Sequence, residues 1–203
     1  MNKRLVLVAF LSLSTAVATS AGAADMAAGK KIATGTCAGC HGADGNAVNP
    51  AWPKLAGQHA KYLVKQLKDF KAGRRKNNLM SPMAAGLSAA DAANVAAYFS
   101  AQKQTPGAAD PKLAAAGGKV YRGGNRKTGV AACMGCHGPT GMGNPQANFP
   151  RLAGQNAAYV AAQLRAFKAG TRTNDMNKMM QNIAARMSDK EIDAVAAYVQ
   201  GLH

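Results

Sequence analysis

Tyr62, Leu63, Gln66, Leu67 and Phe70 are spaced three and four positions apart. That is the spacing of one helix face, and Gly73 stands where such a helix would stop. The pattern predicts a helix over His59–Ala72. It returns 97 positions later in Tyr159, Gln163, Leu164, Phe167 and Gly170, predicting a copy over Asn156–Ala169. Shorter stretches predict a helix near Ala27–Thr34, a partner for it around Ala115–Arg122, and a third helix starting at Ser88 in one half and Ser188 in the other. Ser188 followed by Glu191 has the form of a capping box. No segment alternates apolar and polar residues as a half-buried strand does. The expected fold class is all-α.

The recurrence extends beyond the helices. Pro53-Lys54-Leu55-Ala56-Gly57-Gln58 returns as Pro150-Arg151-Leu152-Ala153-Gly154-Gln155, and Ala96-Ala97-Tyr98 returns 100 positions later as Ala196-Ala197-Tyr198. The growing offset marks small loop insertions. The chain reads as one domain written twice, over 25–103 and 112–203. Pro106, Gly107 and Pro111 mark the stretch between them, 104–111, as a linker.

The first 24 residues have a different character. Lys3 and Arg4 precede a mostly apolar run, Leu5–Ala18, and small residues end in Ala21-Gly22-Ala23-Ala24. This is the layout of a cleavable export signal. A membrane anchor is disfavoured, because the run is interrupted by Ser12, Ser14 and Thr15 and falls short of the ~20 residues a span needs. No later stretch could span a bilayer. Export and paired cysteines together place the mature protein in an oxidising compartment, read here as a bacterial periplasm.

The formal net charge is +16, which raises the question of nucleic acid. An exported chain with few aromatics and no long basic run argues against that partner. A basic surface that steers toward an acidic redox partner, or toward an anionic membrane surface, fits better.

The candidate chemistry lies in the cysteines. Cys37-Ala38-Gly39-Cys40-His41 recurs as Cys133-Met134-Gly135-Cys136-His137, and these two pentapeptides use every cysteine in the chain. C-x-x-C-H is the attachment signature of c-type haem. Two thiols three residues apart lie on one side of a helical turn, where each can form a thioether with a haem vinyl group. The following histidine can supply an axial nitrogen. A zinc ribbon would want its cysteine pairs about 15–20 residues apart. A redox dithiol would not explain a histidine after each pair. Two covalently bound c-type haems are expected.

A sixth ligand must then be found for each iron. Of four histidines, His41 and His137 belong to the motifs, His59 aligns with Asn156 and reads as a surface helix residue, and His203 ends the chain. A methionine thioether is a soft ligand suited to haem iron. Aligning Leu87-Ser88 with Met187-Ser188 places Met80 on Met180, Met83 on Ile183 and Leu79 on Met179. Met80 and Met180 are thus the favoured pair. Met83 is the alternative in the first half, and Met179 and Met176 are the alternatives in the second. Pro53 and Pro150 lie 12 and 13 residues after the motif histidines, where a carbonyl in a rigid turn could orient the imidazole. A simple turn would explain them equally well.

Taken together, these residues resemble the class I c-type cytochromes, and in particular the di-haem cytochrome c4 family. The resemblance covers nearly all of the mature chain. It implies two tandem cytochrome c-like domains, each with a proline carbonyl (Pro53, Pro150) accepting from the axial histidine. It also implies a glycine where the first helix crosses the last, at Gly29 and Gly118. The function it implies is one-electron transfer, with electrons fed by a quinol-oxidising complex and passed toward a terminal oxidase, and peripheral membrane association is compatible with it. Two alternatives stand beside it: an electron-accepting subunit of a periplasmic oxidoreductase, and a di-haem peroxidase. A methionine candidate in each half argues against the open iron site that a peroxidase needs.

Overall fold

A computed structural model describes residues 23–203. The proposed export signal lies almost wholly outside the described residues. The first unit comprises α1 (Met26–Ile32), a π-helical turn (Ala33–Cys37), α2 (Ala38–His41), α3 (Ala60–Lys71), α4 (Met80–Ala85) and α5 (Ala89–Ser100). The second comprises α6 (Pro111–Gly123), α7 (Met134–His137), α8 (Ala157–Lys168), a short 3₁₀ turn (Met176–Lys178), α9 (Met179–Ala184) and α10 (Asp189–Gln200). Among the described residues the only β pairing is two isolated bridges, Asn125 with Val130 and Asn144 with Phe149. The all-α expectation holds.

Local chemistry sets the helix starts. Asp25 accepts from the backbone N–H groups of Ala27 and Ala28 at the head of α1, and Asp110 accepts from Lys112 at the head of α6. Pro111, placed in the linker by its sequence, instead opens α6. Proline suits the first helical position because no intrahelical bond is asked of its missing N–H there. Ser88 and Ser188 both cap their helices with a full capping box. The first-half box uses Asp91, which the glutamate-based pattern does not detect.

In each unit the first helix packs across the last, α1 on α5 and α6 on α10. The crossings are so tight that only glycine fits. A Cβ on Gly29 would lie 2.2 Å from the Asn94 carbonyl oxygen, and one on Gly117 would lie 2.0 Å from that of Ala194. Asn94 and Ala194 are equivalent in the repeat. The crossing glycine of the second unit is therefore Gly117, not Gly118 as the resemblance implied. Gly118 faces the side chains of Arg122 and Tyr198 instead. One residue along a helix turns the face by about 100°, so neighbouring glycines cannot be told apart without the partner helix.

Each unit buries its own apolar cluster. Ala33, Leu63, Val95, Ala96 and Phe99 form one. Tyr121, Leu164, Ile192, Val195 and Val199 are central to the other. Helix α3 has a second packed face besides the apolar one. Leu63 and Phe70 are buried in their own unit, while Tyr62 and Gln66 hydrogen-bond to the other half. The α8 residues Tyr159 and Gln163 do the same in return.

Candidate functional site

The two C-x-x-C-H segments form short helical turns. His41 and His137 are both buried, and their Nδ1 atoms lie 2.9 Å from the carbonyl oxygens of Pro53 and Pro150 respectively. A carbonyl can only accept, so each Nδ1 carries the proton and each Nε2 keeps its lone pair. Burial pulls both imidazoles below the ordinary histidine pKa, against the opposing effect of the proline hydrogen bond. The result is a neutral, oriented ring with a free nitrogen, which is the state a metal ligand requires. A proline supplies this acceptor well because its ring fixes the turn and its own missing N–H leaves nothing unpaired.

None of the four cysteines forms a disulfide. Burial, followed by the neighbouring Cys40, pushes the Cys37 thiol up to about 11. Burial likewise pushes Cys133 up to about 11. A redox-active dithiol depends on a depressed thiol pKa, so this environment speaks against that reading. No cluster of three or more His, Cys, Asp or Glu side chains suited to a metal ion occurs among the described residues. The donor set in each half is two thiols and one imidazole, which matches covalent haem rather than zinc.

Met80 opens α4, where the Asn77 side chain accepts from its backbone N–H at 2.9 Å. Met180 lies in the first turn of α9 and packs against the second-unit core. The two helices are in register: Ala84 and Ala184, 100 positions apart, are both fully buried. Met83 and Met176 are largely exposed, whereas Met80, Met179 and Met180 are half-buried. The loops before these helices differ. Phe70 to Met80 spans ten positions and Phe167 to Met180 spans thirteen. The longer loop contains Asn177 and Lys178, both in the left-handed backbone region.

The twin Pro-x-Leu-Ala-Gly-Gln segments do more than turn the chain. Gln155 bonds to both backbone groups of Lys54, accepting from its N–H at 2.8 Å and donating to its carbonyl at 2.9 Å. Gln58 treats Arg151 in the same way, at 2.9 Å for both bonds. His59 is not simply a surface residue: its Nε2 bonds the Met142 carbonyl of the other half at 2.8 Å. Its counterpart Asn156 donates to the Trp52 carbonyl, also at 2.8 Å. The repeat disclosed these residues but not their role, because a pattern shared by two halves does not say that the halves face one another.

At the centre of this interface lie two buried guanidiniums. Arg75 donates to Gln66, Tyr159 and Gln163, and Arg172 donates to Gln163, Tyr62 and Gln66. Each also stacks on a phenylalanine of its own unit, Arg75 on Phe70 and Arg172 on Phe167. Burial raises the Tyr159 phenol, but the two guanidinium charges outweigh it and leave the group below its ordinary pKa. No carboxylate hydrogen-bonds to either guanidinium among the described residues. The charge of the nearby Asp175 acts on Arg172 as well. Each half offers a thiol pair and one buried imidazole with a free Nε2. The residues present therefore fit two haems.

A duplicated all-α unit, with a thiol pair and an oriented imidazole in each copy, defines a di-haem c-type cytochrome. The family model for cytochrome c matches residues 26–103 and 114–203. Cytochrome c4 of Thiocapsa roseopersicina is 53% identical over 88% of this chain and 93% of its own length. Cytochrome c4 of Pseudomonas aeruginosa is 50% identical over the full length of both chains. A solved structure of reduced recombinant cytochrome c4 from Pseudomonas stutzeri matches with a TM-score of 0.85 at 49% identity, covering 89% of this chain and 100% of that one. The chain belongs to the di-haem cytochrome c4 family. It carries two covalent c-type haems and is an electron-transfer protein with redox proteins as partners. No helix among the described residues is long and apolar enough to cross a membrane.

Proposed function

We propose that this protein is a periplasmic shuttle that takes electrons one at a time from a quinol-oxidising complex and delivers them toward a terminal oxidase. In this reading Cys37 and Cys40 anchor one haem and Cys133 and Cys136 the other. His41 and His137 would each give one nitrogen to an iron, and Met80 and Met180 would each give one thioether. The haems supply the one-electron chemistry. The chain fixes each imidazole through Pro53 or Pro150, raises the potential by offering sulfur rather than a second nitrogen, and holds the two halves in one arrangement. The observation that carries the proposal is the matched pair of buried imidazoles, each with Nδ1 tied to a proline carbonyl, together with a methionine in register in both halves. Both iron faces are then spoken for, which leaves no open site for peroxide.

A second reading concerns the donor. Proteins named thiosulfate dehydrogenase electron acceptor are 45% identical over 84% of this chain in Stutzerimonas stutzeri and 41% identical over 81% in Thiomonas intermedia. Acceptance of electrons from such a dehydrogenase is the second donor this sequence supports. The basic surface favours an acidic docking face in either case.

The test is an optical titration of the holoprotein with haem quantified per chain, followed by mixing with each donor. Two haems per chain, little response to carbon monoxide and rapid reduction by one donor support the carrier. Fast peroxide turnover, or immediate carbon monoxide binding to the reduced protein, overturns it.

A further inference from the structure

The two halves are not equivalent around their candidate methionines. In the second half the ligand loop is tied to the first half. Asn174 donates to Asp69 at 2.7 Å and to Gln66 at 3.0 Å, and its backbone carbonyl accepts from Lys65. Lys65 and Arg74 also pair with Asp69, whose side chain is only 5% exposed. The next residue, Asp175, accepts from the Gln181 backbone at 3.0 Å and from the Gln181 side chain at 2.6 Å. Gln181 adjoins Met180. Hydrogen bonds on Asn174 and Asp175, joined by the peptide bond between these two residues, thus link α3 of one half to the methionine-bearing helix of the other.

The first-half loop reaches the other half through Arg75, on Tyr159 and Gln163, but it has no counterpart of the Asp69 clamp. The repeat equivalents of Lys65 and Asp69 in α8 are Ala162 and Ala166, whose side chains can neither donate nor accept. Asn77, the equivalent of Asn174, bonds only locally among the described residues, to Ser81, Leu79 and Met80. The longer second loop, with its two left-handed residues, is the one that receives the outside support. A loop with added length and non-glycine residues at positive φ keeps one conformation only where its surroundings determine it.

We propose that Asp69, Lys65 and Asn174 are positioning residues for Met180, so that the first half holds the second half's ligand in place through a carboxylate clamp for which Met80 has no counterpart. This rests on the assignment of Met180 as an iron ligand. Breaking the clamp frees the Met180 loop, makes that thioether easier to displace, and leaves the first haem unaffected. The two sites of one duplicated chain are thereby made different by three side chains that touch neither haem ligand.

The experiment uses the full holoprotein in the oxidised state. Imidazole is titrated against it, with the axial methionine methyl of each haem followed separately by paramagnetic NMR. Met180→Ala comes first: if it leaves both methyl signals in place, the ligand assignment fails, independently of the clamp. With the assignment intact, Asp69→Ala and Asn174→Ala should each make imidazole bind about tenfold more tightly at the second haem, the low end of what lost outer-shell support costs a metal site. The first haem should not change. Equal weakening at both haems, or none at either, overturns the proposal. If the alanine variants fail to fold, Asp69→Asn removes the charge at constant shape and is judged by the same two outcomes.

Discussion

The side-chain amide of Gln155 forms two hydrogen bonds with the backbone of Lys54, and Gln58 repeats them on Arg151. All four bonds cross between halves, and Lys54, Gln58 and Gln155 are buried. Gln155→Ala would strand both an N–H and a C=O of Lys54 away from water. Stranded buried groups cost more than the bonds were worth. We expect a loss of about 2–3 kcal/mol in denaturant unfolding of the holoprotein, with Gln58→Ala behaving alike. A loss below ~0.5 kcal/mol for both, the range of an ordinary surface change, would show that the halves are held by something else.

The crossing glycines make a sharper test of the second-half register. Gly29→Ala and Gly117→Ala each push a methyl into a backbone carbonyl that cannot move without shifting its helix. Each should cost about 3 kcal/mol, as overpacking of a tight site does. At Gly118 the nearest atoms are side-chain ends, 3.0 Å or more away. Gly118→Ala should be nearly neutral, helped by alanine's better helix propensity. Thermal melts of the three variants decide the matter, and a reversed order for Gly117 and Gly118 would contradict the packing.

Replacing Met80 and Met180 one at a time should each remove about half of the weak oxidised-state absorption that marks thioether-ligated haem, and should lower the potential of one haem only. Spectroelectrochemical titration of Met80→Ala and Met180→Ala reads both effects. Intact absorption in Met180→Ala would move the second ligand to Met179, its half-buried neighbour.

Glu191 links folding to pH. Its carboxyl sits below the ordinary glutamate value, chiefly because Asn125 donates to it, with burial opposing and Ser188 assisting. A depressed folded pKa contributes stability above the unfolded value and loses it as pH falls through the folded one. The advantage of the native chain over Glu191→Gln should therefore be constant near neutrality and shrink below about pH 4. Stability curves of the two proteins across that range provide the check, and a gap that widens toward acid would reverse the assignment.

The all-α class, the duplication, both attachment motifs and the positions of the main helices are legible in the amino-acid sequence. Those features rest on local spacing: 3.6-residue periodicity, caps at Ser88 and Ser188, and thiols one turn apart. Within one chain the repeat also acted as its own comparison and singled out Met80 with Met180. Everything that depends on which surfaces meet emerges only in the folded chain. That Gly117 rather than Gly118 lies at the crossing depends on the position of the Ala194 carbonyl. That Tyr62 and Gln66 form a polar face toward Arg172, and that His59 bridges to Met142, depends on the halves packing face to face. That Asp69 reaches Asn174, 105 positions away, depends on the second unit's loop lying against α3 of the first. Periodicity records which residues share a face, but the energy of burying that face is set by its partner, and that partner is fixed only when the whole chain has folded.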